Sequence, residues 1–420
     1  MQELATGDAK GGNHAAEGVG TTRRSYGSAA RSRRACRHNV TTMHDTPLFD
    51  IAIIGAGIAG ASVAALLAPH RRVLLLERES QPATHSTGRS AAMFMESYGP
   101  PAVRALTRAS RDFYLQPAGA FAPTPLLAPR GALYVAAPEQ QASLREKFDA
   151  LAPSCPDLQQ LDQAQTLDMV SCLRPERVAG ALLEPGAMDI DVHVLHQGYL
   201  RQMRHHGGIL RCDAGLLGAR RAGAVWELTL AHGGPVRAPL VVNAAGAWAD
   251  EVGALLGAQP IGLVPHRRSA FTFTPPAGMA IRDWPVVGDI GQRWYFKPDA
   301  GVLLGSPANA DPTTPHDVVA EELDVATGIH NIEAATTLSI RRPLRTWAGL
   351  RSFVPDGEMV IGADASSDGL FWLAGQGGYG IQSAPGAAML AASLVLDAPL
   401  PEELLRQGVD PAAVSPQRLR

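Results

Sequence analysis

Residues 48–60 read LFDIAIIGAGIAG, and this stretch decides the fold. Its first half is rich in apolar and β-branched residues, as in a buried parallel strand. The second half has the spacing GxGxxG and leads into an alanine-rich segment, residues 61–68, which is typical of a helix. A second apolar run over residues 72–76 ends at Glu77. Strand, glycine turn, helix, strand and acid in this order predict a Rossmann-like dinucleotide-binding unit.

Each part of this unit has a physical role toward a dinucleotide. Gly55 permits the tight turn, Gly57 lets the backbone approach a pyrophosphate, and Gly60 lets the helix pack closely on the strand. The N-terminus of the helix offers free N–H groups to the phosphates. Glu77 accepts hydrogen bonds from a ribose diol, which favours FAD or NAD over NADP.

Composition limits the classes of function. The chain has 420 residues, 46% of them apolar, and a formal net charge of −3. A chain of this length can bury a sizeable core. Its small negative net charge produces no positive electrostatic potential that would attract nucleic acid. Four scattered cysteines predict a reducing compartment and no metal site. No apolar run approaches the ~18 residues of a transmembrane segment, so we expect a cytoplasmic protein, either free or peripheral at the inner membrane.

Residues 1–46 differ from the rest of the chain. They carry seven Lys and Arg, four Asp and Glu, many small residues, and Tyr26 as the one aromatic side chain. Such a segment buries too little apolar surface to offset its ordering entropy, which predicts a disordered extension. A transit peptide fits its acidic residues poorly. A true start at Met43 is the other interpretation.

Further elements follow from periodicity and turn residues. Asp191 and Gly207 are typical of the two ends of a helix. The segments predicted are a helix at residues 192–206, strands at 225–230 and 240–242, a hairpin at 294–305, and a helix at 384–396 preceded by a glycine-rich loop at 375–382.

The segments IIGAGIAG, ERES, HSTGRSAA, NAAGAW and AGQGGYGIQ resemble the D-amino-acid oxidase and glycine oxidase superfamily of flavoproteins, and within it the bacterial D-arginine dehydrogenases. The resemblance implies FAD rather than NAD. No cysteine lies where a flavin-linking thiol is expected, so the FAD should be non-covalent. The implied fold is α/β (α+β overall). It has a Rossmann-like FAD-binding domain (residues 47–122, 182–250 and 348–420) and a discontinuous antiparallel-sheet substrate domain (residues 123–181 and 251–347).

The motif and the resemblance together imply a set of FAD-binding residues. They lie in the glycine turn, at the end of the second strand, in the HSTGRSAA segment, in NAAGAW and in the C-terminal glycine loop. The predicted residues are Gly55, Gly57, Ile58, Ala59, Gly60, Glu77, Arg78, Ser86, Thr87, Arg89, Ser90, Ala91, Ala245, Gly246, Trp248, Gly377, Tyr379, Gly380, Ile381 and Gln382.

The resemblance also implies a substrate site for a D-amino acid. Arg268 and Arg351 match arginines that hold the α-carboxylate, for which a planar guanidinium is suited because it donates two parallel hydrogen bonds. Tyr295 adds a phenol donor, Tyr98 lies on the lid side, and the carbonyl of Gly378 accepts from the amine. Alignment alone separates Arg268 from its neighbour Arg267, and any single arginine is usually a surface group.

Two positions depart from the D-arginine dehydrogenase pattern. Ala132 stands where a glutamate faces the substrate guanidinium. Met93 and Met95 stand where a histidine and a threonine are expected. A cationic substrate side chain loses its partner, which favours neutral, apolar D-amino acids over D-arginine. Glu96, in a neighbouring turn, is a weak candidate to replace the lost charge.

The expected reaction is hydride transfer from Cα of the neutral amine to the flavin, without an obligatory side-chain base. The imino acid then hydrolyses to a 2-oxo acid and ammonia. A quinone or another acceptor is expected to reoxidise the flavin, with oxygen left open. The alternatives are a glycine or sarcosine type of amine oxidase, an NAD-dependent dehydrogenase, and a flavin-binding protein without turnover.

Overall fold

A six-stranded sheet is built around the first predicted strand. The computed structural model describes residues 46–420, so the predicted extension lies outside the described residues except for Thr46. The first strand is buried at every position and pairs in parallel on both sides. Only the outermost pair, β20 with β21, is antiparallel. The strand order is β20 (Val360–Ala363), β21 (Leu370–Ala374), β13 (Leu240–Asn243), β1 (Ile51–Ile54), β2 (Val73–Leu76) and β9 (Ile209–Arg211).

Three helices cover one face of this sheet: α1 (Ile58–Leu67), α6 (Val192–His205) and α9 (Ala384–Leu396). The first begins three residues earlier than predicted because Gly57, in extended conformation, is already its N-cap. The second is capped as predicted, since the Asp191 side chain accepts from the Val194 N–H at 2.8 Å. The third has the predicted bounds. Packing of these helices on a parallel sheet confirms the α/β class.

A nine-stranded sheet forms the second layer of the molecule. It is antiparallel except where β15 pairs with β5. The predicted hairpin is confirmed as two of its strands, which turn at Ala300 and Gly301 with positive φ. The strand order is β18 (Asp311–Pro312), β14 (Val264–Phe273), β17 (Val302–Ser306), β16 (Tyr295–Asp299), β15 (Val286–Asp289), β5 (Ala132–Ala136), β7 (Gly180–Glu184) and β6 (Gln159–Leu161), with β19 (Arg345–Phe353) paired along β14.

Shorter elements complete residues 46–420. Two three-stranded sheets have the orders β10 (Leu216–Ala222), β11 (Val225–Leu230), β12 (Val236–Ala238) and β3 (Met93–Phe94), β8 (Met188–Ile190), β4 (Leu127–Pro129). The other helices are α2 (Pro101–Ala109), α3 (Arg111–Leu115), α4 (Gln141–Leu151), α5 (Gln163–Met169), α7 (Ala249–Leu255), α8 (Glu322–Ala335), α10 (Glu402–Arg406) and α11 (Pro411–Val414). Short 3-10 helices lie at Pro138–Gln140, Pro175–Arg177, Gly246–Trp248 and Pro416–Leu419.

Each large sheet has its own apolar core. One lies between the parallel sheet and its three helices, and another packs β10–β12 and α7 on the opposite face. A third packs α8 on the antiparallel sheet. Two predicted domain boundaries fall within strands β7 and β19, and the assignment of segments to two domains stays a prediction. Within residues 46–420, no helix combines the length and apolar character needed to cross a membrane.

Candidate active site

Three adjoining cavities run from the carboxyl ends of β1 and β2 to the nine-stranded sheet. The first has a volume of about 390 Å³, and Glu77 and Trp248 are in its wall. The second, of about 140 Å³, shares Gly57 and Thr87 with the first. The third, of about 130 Å³, shares Arg351 with the second. Shared walls make one continuous track, the shape that an elongated dinucleotide with a small substrate at one end requires.

Contacts within the protein require glycine at two positions of the turn, Gly55 and Gly60. The third position, Gly57, faces the cavity. Gly55 has a φ of +99°, and a Cβ there would lie 2.4 Å from the Ala244 carbonyl oxygen. A Cβ on Gly60 would lie 1.8 Å from the Gly55 carbonyl oxygen. A Cβ on Gly57 would meet only Thr87 Oγ1, at 3.2 Å, and would otherwise project into the cavity. Gly57 is therefore the position at which a ligand can approach the backbone.

Polar groups hold this turn from both sides. Thr87 Oγ1 accepts from the Ile58 N–H at 3.0 Å. Glu77 accepts from the Ala56 N–H at 3.0 Å, and its carboxylate lines the first cavity. His196, which the sequence analysis missed, lies with Nε2 2.9 Å from the Ala56 carbonyl oxygen. Burial lowers the pKa of His196, which keeps the ring neutral behind the turn. A lone histidine in an amphipathic helix gave no signal for this role.

An aromatic group lies at the outer end of the first cavity. The ring of Trp248 lies 4.7 Å from the ring of His85. The guanidinium of Arg78 lies 4.8 Å from the centre of the same indole ring. All three side chains line the first cavity, and such flat cationic and aromatic surfaces suit a nucleotide base.

Most of the predicted FAD residues lie in the cavity walls. They are Gly55, Gly57, Ile58, Ala59, Glu77, Arg78, Ser86, Thr87, Arg89, Ser90, Ala91, Ala245, Gly246, Trp248, Gly377, Gly380, Ile381 and Gln382. Two are not in these walls. Gly60 packs under the turn, and Tyr379 packs edge-on against Tyr98 at 5.0 Å. Burial raises the pKa of Tyr379 to about 12.

Arg89, Ser86 and Gln382, like Glu77 and Thr87, bond the protein through their side chains. Arg89 pairs with Asp317 and donates to the Val318 carbonyl at 2.9 Å. Ser86 Oγ donates to a backbone carbonyl in β19 at 2.6 Å. Gln382 donates to the Tyr98 carbonyl at 3.1 Å, which ties the C-terminal glycine loop to the predicted lid.

Two partly buried arginines, Arg351 and Arg268, meet where the second and third cavities join. Arg351 lies on β19 and donates from Nη1 to the Tyr98 phenol at 3.0 Å. Arg268 lies on the neighbouring strand β14 and donates to the Asn309 carbonyl. Within residues 46–420 neither guanidinium has a carboxylate within ion-pair distance. Burial and the charge of Arg351 lower the pKa of Arg268 to about 10, so the site favours an anion.

Strand alternation places Arg268, and not Arg267, in the cavity wall. The Arg267 guanidinium faces the opposite side of β14, where Nε donates to Asp324 at 2.8 Å. The other predicted substrate residues are brought together around Arg268 and Arg351. Tyr295 lines the second and third cavities, and Gly378 is so close to Arg351 that a Cβ would lie 2.9 Å from Nη1. Burial raises the pKa of the Tyr98 phenol, but the two guanidiniums outweigh burial and lower it.

The third cavity has an apolar part to its wall, and charged side chains that include Lys297 and Asp289 line the rest. Met93, Met95 and Ala132 line it, as the departures from the D-arginine dehydrogenase pattern implied. Lys297, missed from the sequence, also lines it and donates to Asp189. Its spacing of two residues from Tyr295 on one strand was the signal for a shared face. Glu96 pairs with Arg111 at 2.9 Å and is not in this wall.

The fold and the track together define an FAD-dependent oxidoreductase. The family described as "DAO: FAD dependent oxidoreductase" matches residues 50–394, and the chain belongs to this family. Its cofactor is therefore FAD, which excludes the NAD-dependent alternative. The track can hold FAD because Gly57 leaves its cavity side open and because the three cavities are continuous.

Individual relatives agree with this assignment. Glycine oxidase of Geobacillus kaustophilus (strain HTA426) is 25% identical over 365 residues, which cover 83% of this chain and 93% of that one. A crystal structure of glycine oxidase from Geobacillus kaustophilus has a TM-score of 0.74 at 22% identity and covers 84% of this chain and 96% of that one. The structure of L-proline dehydrogenase from P. horikoshii has a TM-score of 0.72 at 18% identity, with coverage of 89% and 98%.

A further relative matches only in part. Mitochondrial dimethylglycine dehydrogenase of Mus musculus is 28% identical over 142 residues, or 33% of this chain. The match spans 16% of that protein's length.

Proposed function

We propose that this protein is an FAD-dependent D-amino-acid dehydrogenase that prefers neutral, apolar D-amino acids to D-arginine. The observation that carries the proposal is the pair of partly buried guanidiniums beside a cavity with a largely apolar wall. Arg351 and Arg268 lack a carboxylate partner among the described residues, and an uncompensated buried charge is costly. The α-carboxylate of an amino acid would supply that partner through parallel charge-assisted hydrogen bonds.

The third cavity would receive the substrate side chain. Met93, Met95 and Ala132 offer an apolar wall, and Met side chains adapt to ligands of different shape. The carboxylates near this wall, Asp189 and Asp289, already pair with Lys297 and Arg293, so neither is free to pair with a cationic substrate side chain. Preference for the D-isomer rests on the resemblance to D-arginine dehydrogenases at Tyr98, Tyr295 and the two arginines.

The roles of the chain's own residues follow from this geometry. Arg351, Arg268 and Tyr295 hold the carboxylate, the Tyr98 phenol lies over the Arg351 guanidinium, and the Gly378 carbonyl accepts from the amine. FAD, held by the glycine turn, Glu77 and the C-terminal glycine loop, supplies the acceptor for a hydride from Cα. Fixing the substrate beside the cofactor supplies much of the rate. The imino acid hydrolyses to a 2-oxo acid and ammonia after release.

The electron acceptor and the location are proposed on the same resemblance. A quinone or a comparable acceptor reoxidises the flavin, in the cytoplasm or at the surface of the inner membrane. The two-domain assignment of the chain, with the substrate domain over the flavin, belongs to the same proposal. A second candidate, an oxidase of glycine or sarcosine, is favoured by the glycine oxidase match over 365 residues.

Anaerobic bleaching of the flavin absorbance tests the function. Purified holoenzyme is mixed with D-leucine, D-methionine, D-arginine, L-leucine, glycine or sarcosine. We expect rapid bleaching by the apolar D-amino acids and little by L-leucine. Faster bleaching by glycine or sarcosine would favour the second candidate, and D-arginine equal to D-leucine would overturn the predicted preference. A protein that none of them bleaches would be a flavoprotein without this turnover.

Ala132→Glu should shift the preference toward D-arginine. Ala132 is 1% exposed and lines the third cavity, so the new carboxylate would face the substrate side chain. We expect kcat/KM for D-arginine to rise relative to D-leucine because the new carboxylate can pair with the substrate guanidinium. The rise should be limited to about 10-fold, because the Lys297 ammonium competes for the same carboxylate. Steady-state kinetics with both substrates measure the ratio. Ala132→Gln, of equal size but neutral, should leave D-arginine disfavoured, and equal ratios for the two variants would rule out the charge as the cause.

A further inference from the structure

A buried carboxylate lies behind the third cavity, at the end of a row of hydroxyl groups. Tyr134 on β5 lines the cavity, and its phenol oxygen lies 3.4 Å from Ser97 Oγ. Ser97 Oγ in turn donates to Oε2 of Glu184, at the end of β7. The Glu184 carboxylate is 7% exposed and also accepts from the Glu96 N–H at 2.7 Å. None of these three side chains has a place in the carboxylate-binding site described above.

The hydrogen bonds of this row run in one direction. A serine hydroxyl has one proton to donate, and that of Ser97 is directed at the carboxylate of Glu184. Ser97 Oγ can therefore only accept from Tyr134, whose phenol proton points away from the cavity. A proton entering at the phenol oxygen of Tyr134 would be passed on in the direction of Glu184.

The far end of the row opens into another cavity. Glu184 lines a space of about 730 Å³, which we call the rear cavity, together with Glu96, Arg111 and Cys155. This space does not share Tyr134 or either of the two substrate-site arginines with the third cavity. Ser97 and Tyr134 thus connect Glu184 with the third cavity, and Glu184 itself lines the rear cavity.

We propose that Tyr134, Ser97 and Glu184 form a proton relay that carries the ammonium proton of the bound substrate to the rear cavity. The proposal rests on the proposed oxidation of an amino acid. An amino acid binds from neutral solution largely as the ammonium form, and only the neutral amine can give up a hydride from Cα. A route by which the bound ammonium loses one proton would therefore serve the reaction, and this proposal revises the expectation that no side chain takes part in it.

The proton balance of the relay is simple. The substrate ammonium loses one proton to the Tyr134 phenol oxygen as the phenol gives its own proton to Ser97 Oγ. Ser97 passes its proton to Oε2 of Glu184, which changes from carboxylate to carboxylic acid. Tyr134 and Ser97 each keep one proton, their hydroxyl groups rotate back to restore the starting direction before the next turnover, and no electrons move in this step. Glu184 then releases the proton to water in the rear cavity.

The surroundings of Glu184 suit a proton acceptor. Burial raises the pKa of Glu184, and the hydrogen bonds from Ser97 and Glu96 offset this only in part. Glu96 raises it further by its charge, although Arg111 pairs with Glu96 at 2.9 Å. A carboxyl with a raised pKa is a better base near neutral pH. Burial also raises the pKa of Tyr134, so the phenol passes protons on and does not itself ionise.

Glu184→Gln tests the relay, because glutamine keeps the shape and removes the proton acceptor. We expect the anaerobic rate of flavin bleaching by a saturating apolar D-amino acid to fall about 10- to 100-fold at neutral pH. The rate should recover as pH approaches the pKa of the amine, since solvent then supplies neutral substrate. Glu403→Gln is the matched control: Glu403 lines the same rear cavity but is outside the row and is not among the groups that shift the pKa of Glu184, so this variant should behave as wild type.

Infrared difference spectra recorded during anaerobic reduction give a second readout. Wild type should show the carbonyl stretch of a protonated carboxyl group transiently, before Glu184 releases its proton, and Glu184→Gln should lack this signal while Glu403→Gln keeps it. Ser97→Ala and Tyr134→Phe should show the same altered pH dependence as Glu184→Gln. These two variants decide the question if Glu184→Gln does not hold FAD.

A purely structural role predicts a different result. Glu184 also fixes the turn that precedes Tyr98, so a positional effect would raise KM and leave the pH dependence of the limiting rate unchanged. That outcome, or wild-type behaviour of all three variants, overturns the relay and leaves the proposed function intact. A wild-type protein that no amino acid bleaches contradicts both proposals together.

Discussion

Replacing Arg351 by methionine is expected to lower kcat/KM for an apolar D-amino acid by about 10²- to 10³-fold. The Arg351 side chain is partly buried, and among the described residues its hydrogen-bond partner is the Tyr98 phenol. A bound carboxylate in this place would lose its charge-assisted donors and remain in a desolvated site. Methionine has a similar length and no charge, so the cavity wall should be kept. Most of the loss is expected in KM, because the carboxylate is held before and during the reaction.

Steady-state kinetics and FAD content together measure this effect. Arg345→Met makes the same substitution on the same strand, at an exposed position outside all three cavities. It should retain wild-type kcat/KM within about a factor of 2. If Arg351→Met retains FAD and loses less than a factor of ten, the substrate carboxylate is not held at Arg351.

The first βαβ unit could be read from the sequence because its signals are local. Apolar runs, a glycine turn and an alanine-rich segment each determine their own conformation. The helix ends at Asp191 and Gly207 followed from capping chemistry in the same way. The order in which distant strands join the sheet has no local signal. β13 pairs with β1 although nearly two hundred residues separate them, and only the shared need to bury apolar faces brings them together.

In the candidate site, too, residues within a local motif could be predicted and residues brought together by the tertiary structure could not. Side chains within a motif, such as Gly57 and Glu77, were found from their spacing. The sequence could not decide which of Arg267 and Arg268 faces the cavity. Neighbouring residues of a strand point to opposite faces, but which face each one takes depends on how the rest of the sheet is buried. Tyr134, Ser97 and Glu184 come from three separate segments, and only the tertiary structure places them in one row.

Gly57→Val is expected to give a folded protein that does not retain FAD. Gly57 has a φ of −71° and extended backbone, which valine adopts readily. The first carbon of the new side chain would meet only Thr87 Oγ1, at 3.2 Å, so the protein itself has little need for glycine here. Gly60 is the contrast, since a Cβ there would collide with the Gly55 carbonyl and disturb the turn directly. A requirement for glycine at residue 57 must come from the ligand.

The expected result is FAD binding weakened by about 10²-fold or more, because overpacking a close contact costs on the order of 1–3 kcal/mol and the pyrophosphate also loses its backbone donors. Flavin content after purification and titration of the apoprotein with FAD measure the affinity, and far-ultraviolet circular dichroism checks the fold. Gly218→Val is the control, since a Cβ at Gly218 meets nothing within 4 Å and Gly218 itself is not in the cavity walls. It should bind FAD as wild type does. If Gly57→Val binds FAD as tightly as this control, the pyrophosphate does not approach the chain at this turn, and the first cavity must hold another part of the cofactor.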